Sequence, residues 1–151
     1  MIEVNNLTAN SIDEDFLKKV SNLVLEGENK KDYYISIAII TPSRIKELNR
    51  KYRHKNKVTD VLAFSSSGTL LKKFKINLSK EIEGLGEIVI CLNQVRKNAK
   101  AYKHNFNEEI YRVLIHGILH LLGYIHEKKG IEESKMRAKE NYYLLQVKHK
   151  I

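Results

Sequence analysis

Three histidines in the C-terminal half of the chain have the spacing of a metal site. His116 and His120 stand four residues apart, and Gly123 and His126 follow them. Residues four apart lie on the same face of an α-helix, so these two imidazoles can bind one ion. Gly123 is the residue type that ends a helix in the left-handed conformation, which would let His126 return to that ion. Three nitrogen ligands with a fourth position left to water are typical of a catalytic zinc site.

The same ligand spacing occurs in the metzincin proteases, whose motif is H-E-x-x-H-x-x-G-x-x-H. The glutamate after the first histidine is the general base of those proteases, and Gly117 takes its place here. The spacing therefore supports a metallohydrolase of peptides or other carbonyl substrates, whereas Gly117 counts against that class. The alternative to a metal site is that these histidines are only core or surface residues, but their regular grouping disfavours this.

A strong excess of positive charge is the second functional signal, because the chain carries a net charge of +9. The densest part lies between Arg44 and Lys57, where seven basic residues stand against one acid. Smaller clusters consist of Lys72, Lys73 and Lys75 and of Arg96, Lys97, Lys100 and Lys103. One such cluster is often only a solvated surface. Together with the histidines, the clusters favour a phosphate backbone as the substrate.

Arg53 has the most suggestive position among the arginines. It follows a predicted short helix and precedes the turn that leads to a strand at Asp60, and such connecting segments often carry site residues. The planar guanidinium binds phosphate oxygens with two donors and stabilises the charge of a phosphoryl transition state. A zinc ion held by three imidazoles would lower the pKa of its bound water, which suits hydrolysis. The residues expected to contact the nucleic acid are Arg50, Lys51, Arg53, Lys55 and Lys57.

Composition is that of an ordinary soluble globular protein, with 42% hydrophobic and 30% charged residues. We predict a single domain over residues 1–151, since this length is sufficient for a core of its own. No apolar run reaches the length of a membrane span, and the N-terminus lacks the regions of a signal peptide. With Cys91 as the one cysteine, these features predict a cytoplasmic protein without an intrachain disulfide.

Apolar periodicity predicts an α+β domain in which about five helices pack with a small mixed sheet of about four strands. The predicted strands are Ile2–Val4, Tyr34–Ile40, Asp60–Phe64 and Glu87–Cys91. The predicted helix caps are Ser11 in a capping box with Glu14, Thr41 before Pro42, Asn93 and Asn107. The helix with His116 and His120 is apolar on nearly all sides and should be central, and a last helix should span Ile131–Val147. Residues 65–84 carry no clear pattern.

Three blocks of sequence in the order of a known family lie within about residues 35 to 140. They read Leu48-Asn49-x-x-Tyr52-Arg53-x-Lys55-x-x-x-Thr59-Asp60-Val61-Leu62-x-Phe64, then Leu85-Gly86-Glu87-Ile88-Val89-Ile90, then His116-Gly-x-Leu-His120-Leu-x-Gly123-Tyr124-x-His126-Glu127. The chain resembles the YbeY family of bacterial zinc-dependent endoribonucleases.

The resemblance implies one α+β domain, one zinc ion per chain and cleavage of single-stranded RNA. It also implies maturation of ribosomal RNA, chiefly at the 3′ end of the small-subunit RNA, and ribosome quality control with the ribosome or small-subunit proteins as partners. By resemblance, the zinc ligands are His116, His120 and His126, and Arg53 is the catalytic arginine.

Several positions depart from the family pattern. Ile125 stands where the family has an aspartate before the last ligand, and this change bears on proton transfer rather than on zinc binding. The pairs Lys55-Asn56 and Val58-Thr59 and the sequence Ala63-Phe64-Ser65 also differ from the family. We expect these changes to adjust a loop near the cleft.

The sequence shows no obvious general base. Glu127, next to a predicted ligand, is a candidate acid/base group, and Asp60 is another candidate that can equally bridge structure. Besides the nuclease and the metallohydrolase, a further hypothesis is a non-catalytic module that binds RNA or the ribosome and uses zinc only to stabilise its structure. Structural zinc has four protein ligands, so that hypothesis needs a fourth ligand from Cys91, His104, Glu127 or His149.

Overall fold

The computed structural model describes residues 1–65, 83–124 and 130–150. The elements in chain order are β1 (Ile2–Asn6), α1 (Glu14–Gly27), β2 (Tyr33–Ile39), α2 (Pro42–Arg53), β3 (Val61–Ser65), β4 (Glu83–Ile90), α3 (Leu92–Tyr102), α4 (Phe106–Leu121) and α5 (Ile131–Lys150). The predicted α+β class is confirmed. Most of the stretch without a clear pattern lies outside the described residues.

The four strands of the described residues form one mixed sheet in the order β1-β2-β4-β3. The strands β1, β2 and β4 are parallel, and β3 runs antiparallel to β4 at the edge, with Val61 opposite Ile90. The start of β3 therefore lies beside the C-terminal end of β4, at the end of the sheet where β2 also finishes. Helix α2 begins at the same end of the sheet, shortly after β2.

The two faces of the sheet are covered differently. On one face, Ile37 and Ile88 belong to an apolar cluster that continues through α1, α4 and α5. On the other face, Ala38 and Val89 pack with Ile45 of α2 in a smaller cluster. Alternate residues of a strand point to opposite faces, and here both faces of β2 and β4 are apolar. This explains the isoleucine-rich strands in the sequence.

The central position predicted for the histidine-bearing helix is confirmed. Helix α4 packs against α1, α3 and α5 and also against β3 and β4. Its apolar residues Leu114, Ile115 and Ile118 are fully buried. A helix with so many partners is a rigid support for side chains at its exposed positions.

Two of the predicted helix caps are wrong by two residues. Asp13 caps α1 by accepting a hydrogen bond from the Phe16 amide at 3.0 Å, whereas Ser11 lies outside the helix. Asn105 caps α4 by accepting from the Asn107 amide at 2.8 Å. Before each of these two helices, several residues of capping types stand close together. The position at which the helix begins therefore decides which of them is the cap.

Of the other two predicted caps, one is confirmed and one is wrong. Thr41 caps α2 as predicted and accepts from the Arg44 amide at 3.4 Å, with Pro42 in the first turn. Asn93 is not a cap, because Cys91 occupies the N-cap position of α3 without a side-chain hydrogen bond. Within the described ranges, no helix has the length and apolar character to cross a membrane.

Candidate active site

A cleft with a volume of about 690 Å³ lies between α4 and the segment that joins α2 to β3. Residues that are distant in sequence share its lining. The charged and polar side chains around it include Arg53, Lys55, Lys57, Asp60, Glu109, Arg112, His116, His120 and Glu140. The fold thus brings the predicted catalytic arginine and two of the predicted metal ligands to one cleft.

His116 and His120 lie one turn apart on α4 and are both half-buried. Their ring centroids are 5.0 Å apart, with an angle of 66° between the ring planes. Nδ1 of His116 is hydrogen-bonded to the Glu140 carboxylate from α5. Since Glu140 engages Nδ1, His116 would coordinate a metal through Nε2. This paired, oriented imidazole set fits a zinc site.

The turn after α4 confirms that Gly123 ends the helix with a positive φ. The helix ends at Leu121, and Gly123 has a φ of 99°. The Gly123 amide donates to the His120 carbonyl and the Tyr124 amide to the Leu119 carbonyl, each at 3.0 Å. These are the two bonds of a Schellman motif. Among the described residues, no atom lies within 4 Å of a Cβ placed on Gly123, and the positive φ is the reason for glycine at this position.

Beyond this turn, the sequence reaches residues outside the described part of the chain. His126, the predicted third ligand, lies there, as do Glu127 and Ile125. The described turn is nevertheless held in place by a side-chain hydrogen bond. Tyr124 donates its hydroxyl to the Glu28 carboxylate at 2.6 Å, and this bond raises the pKa of Tyr124 to about 12.

Glu28 joins three parts of the structure below that turn. It stands at the end of α1 and accepts hydrogen bonds from Tyr124, from Tyr143 and, at 3.2 Å, from Lys139. Burial opposes ionisation of Glu28, but the hydrogen bonds and the Lys139 charge prevail and lower its pKa. The ionised carboxylate therefore holds α1, α5 and the start of the segment toward His126 together.

Arg53 is the last residue of α2, and its side chain is exposed along the cleft. Its Nη2 donates to the Ala63 carbonyl at 2.7 Å, and its guanidinium lies 5.5 Å from the Phe64 ring centroid. One edge of the guanidinium is thus held against β3 by a hydrogen bond and a cation–π contact. These contacts orient the group without burying it.

The loop after Arg53 is shaped by Asn49, whose role the sequence analysis missed. Asn49 is buried in α2, and its side-chain amide donates to the Lys57 carbonyl at 3.0 Å. Its backbone carbonyl accepts from the Lys55 amide at 3.3 Å, and His54 between them has a left-handed φ of 58°. Together these bonds bend the chain so that the backbone of the basic segment follows the cleft.

The predicted RNA-binding residues separate into two groups. Arg53, Lys55 and Lys57 line the cleft. Arg50 and Lys51 are exposed on α2 outside that lining, and the Lys51 ammonium lies 5.4 Å from the Tyr52 ring centroid. Asn49 and Arg53 stand four residues apart on the face of α2 that lines the cleft, whereas Arg50 and Lys51 lie on its other faces.

Asp60 is engaged in structure. Its carboxylate accepts from the Asn98 amide of α3 at 3.3 Å and from the Thr59 hydroxyl at 3.4 Å. Its backbone carbonyl accepts from the Cys91 amide at 2.9 Å. Asp60 thus bridges the start of β3 to α3, which is the structural alternative that the sequence analysis left open.

Three charged residues of the lining were missed by the sequence analysis. Glu109 is buried and hydrogen-bonded to His104 Nδ1 at 2.9 Å. Arg112 lies one helical turn before His116 on α4, so its spacing was the available signal. Glu140 is half-buried and stands one turn after the buried Met136 on α5. An acid on an apolar helix stripe was the signal for Glu140.

Comparisons with known proteins agree on one family. Residues 3–148 match the model of the family described as Endoribonuclease YbeY. The chain belongs to this family. The Endoribonuclease YbeY of Aquifex aeolicus is 38% identical over 138 residues, which cover 91% of this chain and 86% of that protein. The Fusobacterium nucleatum protein of the same name is 37% identical over 141 residues, with 93% and 83% covered.

The fold comparison leads to the same architecture. A solution structure of a Thermotoga maritima protein superimposes with a TM-score of 0.63 at 27% identity, and the match covers 97% of this chain and 89% of that one. Family membership and the shared fold confirm the resemblance found in the motif blocks.

Gly117 has a role in packing α4 against the sheet. A Cβ on Gly117 would lie 3.2 Å from Ile88 Cγ2 in β4, so a glutamate there would have to displace the strand's side chain. The glycine lets α4 lie close to the sheet. Position 117 is thus used for packing, which agrees with the absence of the protease base.

Proposed function

We propose that this chain is a zinc-dependent endoribonuclease that cleaves single-stranded RNA. The observation that carries the proposal is the shared cleft, which places the Arg53 guanidinium on one wall and His116 and His120 on the other. Membership in the Endoribonuclease YbeY family supports it. A phosphodiester needs both cationic stabilisation and an activated nucleophile, and the two walls supply groups for each.

His116, His120 and His126 would hold one zinc ion. When bound, the metal would supply Lewis acidity and a water of lowered pKa. The described part of the chain contributes the rest of the support. Helix α4 fixes the first two imidazoles, and the Gly123 turn ends this helix shortly before His126 in the sequence. Three imidazoles leave a coordination position open, as a catalytic site requires.

Arg53 would bind the scissile phosphate through the edge of its guanidinium that does not contact Ala63. Lys55 and Lys57 would bind neighbouring phosphates within the cleft, and Arg50 and Lys51 would attract RNA from the adjoining surface. Arg112 adds a second guanidinium to the wall that carries the histidines. These cations give the cleft a preference for a polyanion.

Glu127 is our candidate for the acid/base group. The three carboxylates that line the cleft within the described residues already have partners: Asp60 binds Asn98, Glu109 binds His104, and Glu140 binds His116. Glu127 follows the proposed ligand His126 directly in sequence. This elimination is the support for giving it the proton-transfer role.

We further propose that the natural substrate is ribosomal RNA, with the 3′ end of the small-subunit RNA as the main site. The proposal includes ribosome quality control, the ribosome or small-subunit proteins as partners, and the cytoplasm as the place of action. The family resemblance supports these assignments. The +9 net charge suits an RNA-rich partner.

The deciding experiment is cleavage of a ribosomal RNA fragment that spans the small-subunit 3′ end. Wild type, His120→Ala and the matched control His149→Ala are purified identically and assayed with chelator and with zinc restored. We expect cleavage by wild type and His149→Ala only, and only with zinc present. Equal cleavage by His120→Ala would assign the activity to a contaminant.

The same preparations separate the alternatives. Casein added as substrate tests the peptide metallohydrolase, which Gly117 disfavours. A module with a structural zinc ion would bind RNA without cutting it, and its zinc would need a fourth protein ligand. Of the four candidates for that ligand, Cys91, His104 and His149 lie outside the cleft lining, and Glu127 lies outside the described residues.

A further inference from the structure

Glu140 makes a contact whose chemistry concerns the metal site directly. It lies on α5, and its carboxylate is hydrogen-bonded to Nδ1 of His116 on α4. The two side chains are 17% and 27% exposed, respectively. A contact that is largely shielded from water is stronger than one at the surface.

The contact is held in place by the packing of α5. Met136, one turn before Glu140, and Tyr143, one turn after it, are each 1% exposed. They belong to the apolar cluster shared with α1 and α4. The backbone at Glu140 is therefore fixed against α4, and the carboxylate cannot leave His116 without moving the helix or changing its rotamer.

A carboxylate beside Nδ1 decides the protonation pattern of a neutral imidazole. It accepts a hydrogen bond, so the proton resides on Nδ1 and the lone pair on Nε2. In metal sites, such a partner fixes the tautomer and the ring orientation and strengthens the ligand. Helix α4 supplies the ligand here, and a different helix supplies the group that orients it.

We propose that Glu140 is a positioning residue that holds His116 in the Nδ1-protonated tautomer and thereby presents Nε2 to the metal. The inference rests on the proposed metal site. It also gives a reason for an acid between the buried Met136 and Tyr143 on α5, where an apolar residue would otherwise be expected.

The test uses the full chain with Glu140→Ala, Glu140→Gln and the control Glu133→Gln. Glu133 lies on the same helix and pairs with Arg137 at 3.0 Å, so its change neutralises an acid away from the cleft. Nitrogen-15 NMR of the histidine rings in metal-free protein reports the His116 tautomer. Competition with a chromophoric chelator reports the affinity for Zn²⁺.

We expect Glu140→Ala to release His116 into a mixture of tautomers and to weaken Zn²⁺ binding about 10- to 100-fold. Glu140→Gln preserves an acceptor for Nδ1–H and should therefore retain the tautomer with a smaller loss of affinity. Glu133→Gln should match wild type in both measurements. If Ala destabilises the fold, the Gln variant alone still tests the loss of affinity.

The two possible failures are distinguishable. Wild type that binds no Zn²⁺ would overturn the proposed metal site and this inference with it. Wild type that binds Zn²⁺ as tightly as Glu140→Ala and Glu140→Gln would overturn the role of Glu140 alone. An unchanged His116 tautomer in Glu140→Ala would also overturn that role.

Discussion

The two walls of the cleft are held in place by different kinds of contact. The wall with His116 and His120 is one side of α4, and among the described residues its apolar cluster contains 22 buried side chains. The wall with Arg53 is supported by α2 and β3, whose cluster contains seven. Packing fixes the first wall, whereas a few hydrogen bonds and one cation–π contact orient the second.

This difference suits the two proposed roles of the walls, which are metal binding and phosphate binding. Metal ligands need to be held within a fraction of an ångström, which a packed helix achieves. A group that binds the phosphate of a long polymer must stay accessible, so it cannot be buried. We therefore expect changes in the Arg53 wall to affect catalysis with little effect on stability, and changes below the histidine wall to affect both.

The largest expected effect is that of Arg53→Ala. Removing one charge-stabilising group from an active site costs about 10²- to 10³-fold in kcat. Because Arg53 is exposed, the free energy of unfolding should change by less than about 0.5 kcal/mol. Single-turnover RNA cleavage and thermal unfolding measure the two quantities.

Arg44→Ala is the matched control, since Arg44 lies on the same helix and pairs with Glu47 at 3.5 Å. Arg53→Lys should recover little activity, because an ammonium lacks the fork that binds two phosphate oxygens. Equal losses for Arg44→Ala and Arg53→Ala would mean that only the total charge matters.

The second expected effect concerns a buried acid below the Arg53 wall. Glu87 in β4 is 1% exposed, and neither carboxylate oxygen has a hydrogen-bond partner among the described residues. It lies opposite Phe64, which supports Arg53. Burial raises the pKa of Glu87 from 4.5 to about 7.

The sign follows from the raised pKa. The folded state keeps the proton while the unfolded state loses it, so stability is full below pH 4.5 and is lost as pH rises to about 7. The loss amounts to about 3 kcal/mol. Glu87→Gln should flatten this profile in urea unfolding at pH 5 and pH 8, and Glu47→Gln, at an exposed site, should not. A wild-type profile that is flat between these values would contradict the assignment.

A third, smaller effect tests the turn that ends the histidine wall. Gly123→Ala places a side chain at a φ of 99°, which should cost about 1–2 kcal/mol of stability. Because this turn leads toward His126, Zn²⁺ affinity should fall as well. Gly130→Ala is the control, since Gly130 has a φ of 108° and, as at Gly123, no atom of the described residues lies within 4 Å of a Cβ placed on it. Its stability should fall similarly, with Zn²⁺ affinity unchanged.

Local patterns predicted the parts of this protein that are governed by local physics. The Gly123 turn and the Thr41 cap depend on a few adjacent residues and are confirmed. Strand β4 begins at Glu83, earlier than predicted, because pairing with Tyr33 of β2 extends it through a stretch whose glycines conceal the apolar alternation.

Contacts between distant segments could not be predicted from pattern alone. The partner of His116 is Glu140, which the docking of α5 brings to α4. The partner of Asp60 is Asn98, which the position of α3 determines. Motifs therefore predicted the groups that we propose for binding substrate and metal, and the structure was needed to find the residues that contact and orient those groups.

The smallest expected effect divides the basic residues of the Arg53 wall. Lys57 lines the cleft, whereas Lys51 lies outside its lining on α2. A lysine that contacts a phosphate contributes about one unit to the slope of log affinity against log salt concentration. Lys57→Ala should therefore weaken RNA binding by a fewfold and reduce that slope by about one. Lys51→Ala should reduce the slope less, because a charge outside the cleft only attracts RNA from a distance through screening salt. Fluorescence anisotropy with a labelled RNA over a range of KCl concentrations measures both slopes, and equal slopes for the two variants would show that RNA follows the surface of α2 as closely as the cleft.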